Sequence, residues 1–167
     1  WPEIMVDVER ARNLKPESIT CRHFYREYAW AVFNSGMKMS TIRKRWDDLQ
    51  QTFMNFDFKA IIDNSDDIRI RALKLLNNPR KIDAVLGAAR FISEQGWEYI
   101  SSLIISDNVI LSNGDYLPSQ KLIDYLKGAY NNKNLRFLGN TNRNFLIKNL
   151  GFGFAKPDRN MQALALE

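Results

Sequence analysis

Apolar side chains recur at helical spacing along most of the chain. Between Glu17 and Ser35 they lie mostly three or four positions apart, which places them on one face of a helix. They are Ile19, Phe24, Tyr28, Ala31 and Val32. Lys15-Pro16 precedes this segment and Ser35-Gly36 follows it, and both are typical of helix boundaries. The pattern predicts a first long helix over residues 17–35.

Further helices are expected up to Gly96, because polar residues or glycine separate the apolar segments that follow. In order, they are a second helix from Ser40 or Thr41 to about residue 53, a short third helix over residues 56–62, a helix after the capping run 64–67, and a helix from Pro79 to Gly96. The last two carry apolar faces that predict burial. These faces are Ile68, Ala72, Leu75 and Leu76, and Ile82, Val85, Leu86, Ala89 and Ile92.

One segment in the second half is ambiguous. Residues 99–111 contain enough Ile and Val to suggest a strand, but we interpret them as an irregular connector or weak helix. The turn Ser112-Asn113-Gly114-Asp115 follows this segment.

The remaining segments again favour helices. Pro118 starts a helix that ends at Tyr130, and a polar linker over residues 131–134 leads to a hairpin turn and a helix that ends at Leu150. Lys156-Pro157-Asp158 introduces a last helix. The predicted fold class is therefore all-α, in a single domain over residues 1–167.

Composition agrees with one compact domain. The chain has 167 residues, of which 45% are apolar and 12% aromatic, so it can bury a sizeable core. No apolar run approaches the ~20 residues needed to cross a bilayer, and no charged-then-apolar leader opens the chain. We expect a soluble protein that does not enter a membrane. Trp1 stands where an initiator Met is expected, which suggests that the natural chain is trimmed at one or both ends.

The charge balance favours a polyanionic partner. Lys and Arg number 24 against 19 Asp and Glu, which gives a net charge of +5 and a pI near 9.4. This suits nucleic acid, but many basic proteins use lysine for solubility. Charge alone therefore does not separate a DNA enzyme from an ordinary basic domain.

Few residues are suited to holding a metal ion or a cofactor. Cys21 is the only cysteine, so neither an intrachain disulfide nor a cysteine-rich zinc cage can form, which fits a reducing compartment. We interpret the only histidine, His23, as a helix-surface residue. The sequence lacks Gly-x-x-x-x-Gly-Lys-Ser/Thr, His-Glu-x-x-His and Gly-x-Ser-x-Gly, which argues against kinases, zinc hydrolases and serine esterases. Neither a metal ion nor a cofactor is expected.

Residues 137–151 contain the most informative candidate site. The glycine-bearing turn Leu138-Gly139-Asn140-Thr141 precedes a helix, whose first backbone N–H groups can bind a phosphate with help from the helix dipole. Asn140, Thr141 and Arg143 would add side-chain donors. The alternative is a plain αα-hairpin in which Gly139 relieves strain and the polar residues face water.

Asp158 is the candidate catalytic residue. Pro157 fixes the backbone before it and places its carboxylate at or near a helix N-terminus. Such an aspartate commonly acts only as an N-cap. The functional alternative is a carboxylate held beside a sugar whose C1′ becomes cationic as a base departs, the charge stabilisation that glycosidases use.

Four further segments, in order along the chain, carry a family resemblance. They are Ser35-Gly36-Met37-Lys38-Met39-Ser40-Thr41-Ile42-Arg43-Lys44-Arg45, Phe53-Met54-Asn55-Phe56-Asp57, Asn78-Pro79-Arg80-Lys81-Ile82-Asp83-Ala84-Val85-Leu86-Gly87-Ala88-Ala89, and Phe137-Leu138-Gly139-Asn140-Thr141. Their order and spacing resemble helix-hairpin-helix DNA glycosylases, and within them 3-methyladenine DNA glycosylase type I. The resemblance covers roughly residues 24–165, and the catalytic aspartate of the superfamily falls on Asp158.

The resemblance implies a two-lobed helical domain with a helix-hairpin-helix, whose cleft accepts a damaged base flipped from duplex DNA. Asp158 would stabilise the cation and orient or deprotonate water. The residues implied in DNA binding are Gly139, Asn140, Thr141, Arg143, Lys148, Arg43, Lys44 and Arg45. The candidates for the base pocket are Phe24, Trp30, Met37, Met39 and Trp46. Because apolar residues at helical spacing are more often core, we expect about two of these five to contact the base.

Several departures from the family pattern bear on the expected reaction and on the excised base. One cysteine and one histidine cannot form the zinc clasp of the type I enzymes. Their base-reading glutamate falls near Trp30 or Ala31, with Glu27 one turn away, and their stacking tryptophan falls near Met39. The bifunctional members place a lysine in the hairpin region, where this chain has Asn142-Arg143-Asn144. The missing lysine implies a monofunctional glycosylase with water as nucleophile. The resemblance implies an alkylated purine as the excised base, which the changes at the glutamate and tryptophan positions do not support.

Two other functions stay open at this point. One is a DNA-binding module that keeps the hairpin but has lost excision, and the other is a helical interaction protein that binds no nucleic acid. For the glycosylase we expect a monomer in base-excision repair, located in the cytoplasm with the nucleoid or in the nucleus.

Overall fold

The structure, a computed structural model, describes residues 14–153. This part of the chain is mainly helical, which confirms the prediction of a mostly α-helical fold. Its nine α-helices are α1 (Cys21–Asn34), α2 (Met39–Arg43), α3 (Trp46–Thr52), α4 (Phe58–Asp63), α5 (Ser65–Leu75), α6 (Pro79–Gln95), α7 (Trp97–Ile105), α8 (Gln120–Asn131) and α9 (Asn140–Asn149). Two 3₁₀-type turns (Pro16–Ser18 and Met54–Phe56) and one two-stranded sheet, β1 (Val109–Ile110) and β2 (Tyr116–Leu117), complete it.

The first helix starts later than predicted. Thr20 caps α1, because its hydroxyl oxygen accepts a hydrogen bond from the His23 amide at 3.1 Å. The preceding residues form the separate turn Pro16–Ser18, in which Pro16 is buried. Helix α1 therefore runs from Cys21 to Asn34 rather than over residues 17–35.

The second predicted helix is two helices. Lys44 and Arg45 form a turn between α2 and α3, and α2 begins directly after Lys38, so that neither Ser40 nor Thr41 caps it. The Arg45 guanidinium donates a hydrogen bond to the carbonyl oxygen of Leu75, the last residue of α5. This contact joins segments that are distant in sequence, so the local pattern does not indicate it.

A left-handed turn separates α3 from α4. Met54, Asn55 and Phe56 have φ angles of 50°, 50° and 59°, which are unusual for residues other than glycine. Phe56 is buried and stacks on Trp46 with ring centroids 5.5 Å apart, so packing holds the turn in place. Asp57 then caps α4, because its carboxylate accepts hydrogen bonds from the amides of Lys59 and Ala60. The third predicted helix consequently begins at residue 58 rather than 56.

Helix α6 lies at the centre of the core. It has the predicted boundaries: Asn78 caps it, Pro79 opens it, and Gly96 follows it with φ +80°. Its buried side chains pack against α1, α4, α5 and α7, and α1 in turn packs against α9. The buried apolar residues of the described part form one continuous cluster, from Ile19 to Phe152.

The ambiguous segment over residues 99–111 contains both a helix and a strand. Helix α7 ends at Ile105, where Asn108 donates hydrogen bonds to the last carbonyls, and β1 follows. Strand β1 pairs antiparallel with β2, with Val109 opposite Leu117 and Ile110 opposite Tyr116. The turn between them is the predicted one, and Gly114 supplies its positive φ of 84°. The helix interpretation is therefore confirmed for residues 99–105, whereas residues 109–110 form a strand rather than an irregular connector.

The last described segment ends against this hairpin. Gly151 has φ +91°, and the amides of Gly151 and Phe152 donate to carbonyls of the last turn of α9 at 3.0 and 3.3 Å. Phe152 is buried in the core, and the Gly153 amide donates to the Tyr116 carbonyl at 2.8 Å.

None of the helices within residues 14–153 has the length and apolar composition needed to span a membrane.

Candidate nucleic-acid interface

The first turn of α9 presents free backbone donors. Gly139 is the N-cap, and its carbonyl accepts the first helical hydrogen bond, from the Arg143 amide at 2.8 Å. No side chain caps the helix, and no described residue accepts a hydrogen bond from the amides of Asn140, Thr141 or Asn142. These three amides can therefore donate hydrogen bonds to an anion that binds at the turn.

Nothing within the described residues requires glycine at position 139. Its φ of −59° is accessible to every residue, and the positive φ of this turn, 64°, belongs to Phe137. A Cβ atom at Gly139 would lie 3.7 Å from the Tyr130 hydroxyl oxygen, an ordinary contact. Gly139 therefore relieves no backbone strain, which leaves the plain αα-hairpin with its polar residues facing water as the alternative. The absent side chain instead leaves the backbone open to close approach from outside.

The candidate side chains of this turn have different roles. Asn142 donates to the Phe137 carbonyl at 2.6 Å and so closes the turn, whereas Arg143 donates to the Asn140 side-chain oxygen at 2.9 Å. Thr141 and Lys148 are exposed. Arg143 keeps a buried Nε–H without a hydrogen-bond partner among the described residues. The turn thus combines backbone amides with an arginine, groups that suit a phosphate.

The second basic group lies at the turn between α2 and α3. Arg43, Lys44 and Arg45 are all exposed. Arg45 is engaged by the carbonyl of Leu75, whereas no acidic side chain within residues 14–153 lies at ion-pair distance from Arg43 or Lys44. Helix α1 contacts both α2 and α9, so it connects the two basic groups. Arg45 therefore has a structural contact that the sequence pattern did not indicate.

The structure brings two of the base-pocket candidates together. Trp30 on α1 and Trp46 on α3 are both partly exposed, and their rings meet edge to face with centroids 4.7 Å apart. Met37 is partly buried against the core, and Met39 is 43% exposed.

Phe24 lies elsewhere. It is fully buried and packs against Trp97 with ring centroids 5.9 Å apart, so it is a core residue in this structure. Of the five candidates, Trp30 and Trp46 are the two that combine an aromatic ring with partial exposure, and Phe56 occupies one face of Trp46.

A polar contact that the sequence did not predict joins α1 to α9. The Glu27 carboxylate accepts hydrogen bonds from Asn149 at 3.0 Å and from Arg26 at 2.8 Å, and His23 lies 3.8 Å away. Burial lowers the pKa of His23, although the charge of Glu27 opposes this, so His23 is neutral at pH 7. Tyr28 adds a hydrogen bond to the Arg136 carbonyl at 2.8 Å. Together these contacts fix the turn before α9 and the end of α9 on α1.

Lys81, like Glu27, makes buried contacts that the sequence pattern did not predict. It is 3% exposed, and its ammonium donates hydrogen bonds to the carbonyls of Phe33 and Ser35 at the end of α1. Burial lowers its pKa. The sequence feature that indicates this burial is a lysine on the apolar face of α6, beside Ile82 and Val85. Lys81 holds the start of the segment that contains Met37 and Met39.

Asp158 lies outside the described residues, as do Lys156 and Pro157. Within residues 14–153, no group of three or more His, Cys, Asp or Glu side chains is arranged to hold a metal ion. A shallow depression between α3 and α5 includes none of the candidate residues. It is lined by Asp48, Gln51, Thr52, Arg71, Lys74 and Leu75.

No family model, no curated protein and no solved structure matches the chain. Its function must therefore be inferred from the residues and their geometry.

Proposed function

We propose that the protein binds duplex DNA through the first turn of α9 and removes a damaged base from it as a monofunctional DNA glycosylase with two lobes and a helix-hairpin-helix. The observation that carries the proposal is Gly139, which leaves the amides of the next three residues open. Neither backbone strain nor internal crowding accounts for this glycine, which supports close approach of an external group to the backbone.

A phosphate is the group that fits this turn. It is an anion with several acceptor oxygens, so it can bind adjacent amides and a guanidinium at the same time. Arg143 and Asn140 flank the amides, and Lys148 is exposed on the same helix. The net charge of +5 adds a sequence-independent attraction to DNA.

Trp30 and Trp46 supply a surface for a flipped base. Their rings are partly exposed at the junction of α1 and α3, and the same helix α1 supports α9 through Glu27 and Asn149. A base that leaves the duplex stacks on aromatic side chains at a gain of about 1–3 kcal/mol. The rigid connection through α1 would keep phosphate contact and base contact at a fixed separation.

The proposed reaction is hydrolysis of the N-glycosidic bond. As the base departs with the bonding electron pair, C1′ of the deoxyribose becomes cationic, and the Asp158 carboxylate stabilises that charge. Water then adds to C1′ and gives up a proton, which the Asp158 carboxylate would accept. The absence of lysine at residues 142–144 supports water rather than an amine as the nucleophile.

A panel of duplexes with alkylated, oxidised or deaminated bases tests the proposal. We expect release of free base from at least one of them, with strand breaks that appear only after alkali or heat. Retention of DNA without base release would favour the non-catalytic binding module. Absence of both release and salt-sensitive retention would overturn the proposal in favour of a protein-interaction domain.

A further inference from the structure

An apolar surface is exposed around the hairpin. Ile105 at the end of α7 is 41% exposed, and in β1 Val109 and Ile110 are 57% and 64% exposed. Leu111 adds a further 36% exposed side chain directly after β1. We call these four residues the hairpin surface. Clusters of exposed large apolar side chains typically mark a site that another segment or molecule covers.

Strand β1 is exposed both on the faces of the sheet and along its edge. Val109 and Ile110 are neighbours in a strand, so their side chains point to opposite faces of the sheet, and both are exposed. β1 also has β2 as its only partner among the described residues, which makes it an edge strand. A two-stranded sheet with an open apolar edge is marginal by itself and prone to pair with other segments.

The described part of the chain ends beside this hairpin. The Gly153 amide donates to the Tyr116 carbonyl of β2 at 2.8 Å. The contact is close, because a Cβ atom at Gly153 would lie 3.0 Å from the Cβ of Asp115. With Phe152 buried in the core, the described part of the chain ends next to the sheet.

The residues that follow are suited to cover the hairpin surface. Residues 154–167 include Met161, Leu164 and Leu166, with alanine at positions 163 and 165. Each residue of an extended chain spans up to about 3.3–3.6 Å, whereas neighbouring strands are only about 4.8 Å apart. We propose that residues 154–167 dock back on the hairpin surface, with Met161, Leu164 and Leu166 against Val109, Ile110 and Leu111.

Two other occupants are less favoured by the contacts. Residues 1–13 precede Leu14 and the turn Pro16–Ser18, which packs against α7 rather than against the strands. A second copy of the chain has no anchoring contact comparable to the hydrogen bond between Gly153 and Tyr116. The docked C-terminal segment would hold Asp158 between two fixed points, Gly153 and the apolar residues after Met161. The inference holds whether or not the protein is a glycosylase.

Paired cysteines test the contact directly. In the full chain with Cys21→Ala, we combine Ile110→Cys with Leu164→Cys, and the matched control combines Ile70→Cys with Leu164→Cys. Ile70 on α5 is 60% exposed, similar to Ile110 at 64%. Because docking raises the effective concentration of the two thiols, the first pair should form an intramolecular disulfide at least about tenfold faster than the control at low protein concentration.

The other outcomes overturn the proposal in distinguishable ways. Equal rates for the two pairs would mean that residues 154–167 do not dock on β1. A disulfide-linked dimer would identify a second copy as the occupant. Faster closure between Val6→Cys and Ile110→Cys would identify residues 1–13.

Limited proteolysis gives an independent readout. Lys156 precedes Pro157 and resists trypsin, so Arg159 is the cleavage site within residues 154–167. If the segment docks, Ile110→Asp should release residues 160–167 at least about threefold faster than the parent protein, since opening exposes the site. Ile70→Asp is the control and should leave the rate unchanged. A rate in Ile110→Asp equal to that of the control would contradict docking.

Discussion

At the scale of single residues, replacing Asp158 best distinguishes a catalytic carboxylate from one that only caps a helix. An aspartate that only caps a helix can be replaced by asparagine at almost no cost, because both side chains cap equally well. A carboxylate that stabilises a cationic C1′ loses its charge in Asp158→Asn. We therefore expect excision to slow by at least about a hundredfold, while folding and DNA binding persist.

Single-turnover base release and a DNA-binding titration on the same duplex measure the two properties of Asp158→Asn. Asp124→Asn on α8 is a suitable control, because Asp124 is exposed and, within residues 14–153, its side chain has a hydrogen bond from Gln120 alone, at 2.9 Å. Excision by Asp158→Asn at the parental rate would reduce Asp158 to a cap and remove it from the reaction.

Tyr25 predicts a pH dependence of stability. Its buried hydroxyl donates to the Val85 carbonyl at 2.7 Å, and burial raises the pKa of Tyr25 well above its usual 10.0. The unfolded chain ionises this tyrosine at lower pH than the folded chain does. Its contribution to stability is therefore present below pH 10.0 and is lost as the pH rises from there toward the folded pKa.

Tyr25→Phe should reduce the free energy of unfolding by about 1 kcal/mol at pH 7, since one hydrogen bond is lost. Between about pH 9 and pH 11 the variant should lose less stability than the parent protein. Urea unfolding at each pH measures both effects. Tyr99→Phe is the control, because Tyr99 is 50% exposed. Parallel pH profiles of Tyr25→Phe and the parent protein would contradict the assignment.

At the scale of elements, the first turn of α9 is the feature to test. Gly139→Ala adds a Cβ with room inside the protein, so the free energy of unfolding should change by less than about 1 kcal/mol. The same methyl group would crowd a phosphate that approaches the amides. We expect weaker binding to damaged and undamaged duplexes alike, by about three- to tenfold.

Gly87→Ala is the matched control for Gly139→Ala. Gly87 is exposed on α6, and a Cβ there meets nothing within 4 Å. It should leave the dissociation constant unchanged, as measured by fluorescence anisotropy at fixed salt. Equal affinities of the two alanine variants would remove the turn of α9 from the DNA interface.

Elements were predicted from sequence where their signals are local. Pro79 and Gly96 bound α6 because proline and glycine act on the backbone at their own positions. At the break between α2 and α3, Arg45 contacts the carbonyl of Leu75, 30 residues away, and periodicity does not indicate such a contact. The same holds for the candidate site. The turn at Gly139 is readable from sequence, whereas the contacts of Lys81 and Glu27 arise only when α6 and α9 pack on α1.

At the scale of the whole molecule, the two proposed lobes share one continuous core. Leu122 and Leu126 of α8 and Leu146 and Ile147 of α9 belong to the same buried cluster as the residues of α6. Two lobes around one core should unfold together, because neither part keeps a core of its own when the other opens. We therefore expect a single unfolding transition.

Leu146→Ala tests this cooperativity. Leu146 is fully buried in α9, so its truncation should cost about 2–5 kcal/mol of unfolding free energy. In one cooperative unit, helical circular dichroism and the fluorescence of the four tryptophans should shift by the same denaturant increment. Ile70→Ala, at a 60% exposed site, should shift neither by much. If the dichroism of Leu146→Ala falls first while the fluorescence transition keeps the parental midpoint, α9 unfolds by itself. The rigid connection proposed between phosphate contact and base contact would then fail, because α9 would move independently of the tryptophan pair on α1 and α3.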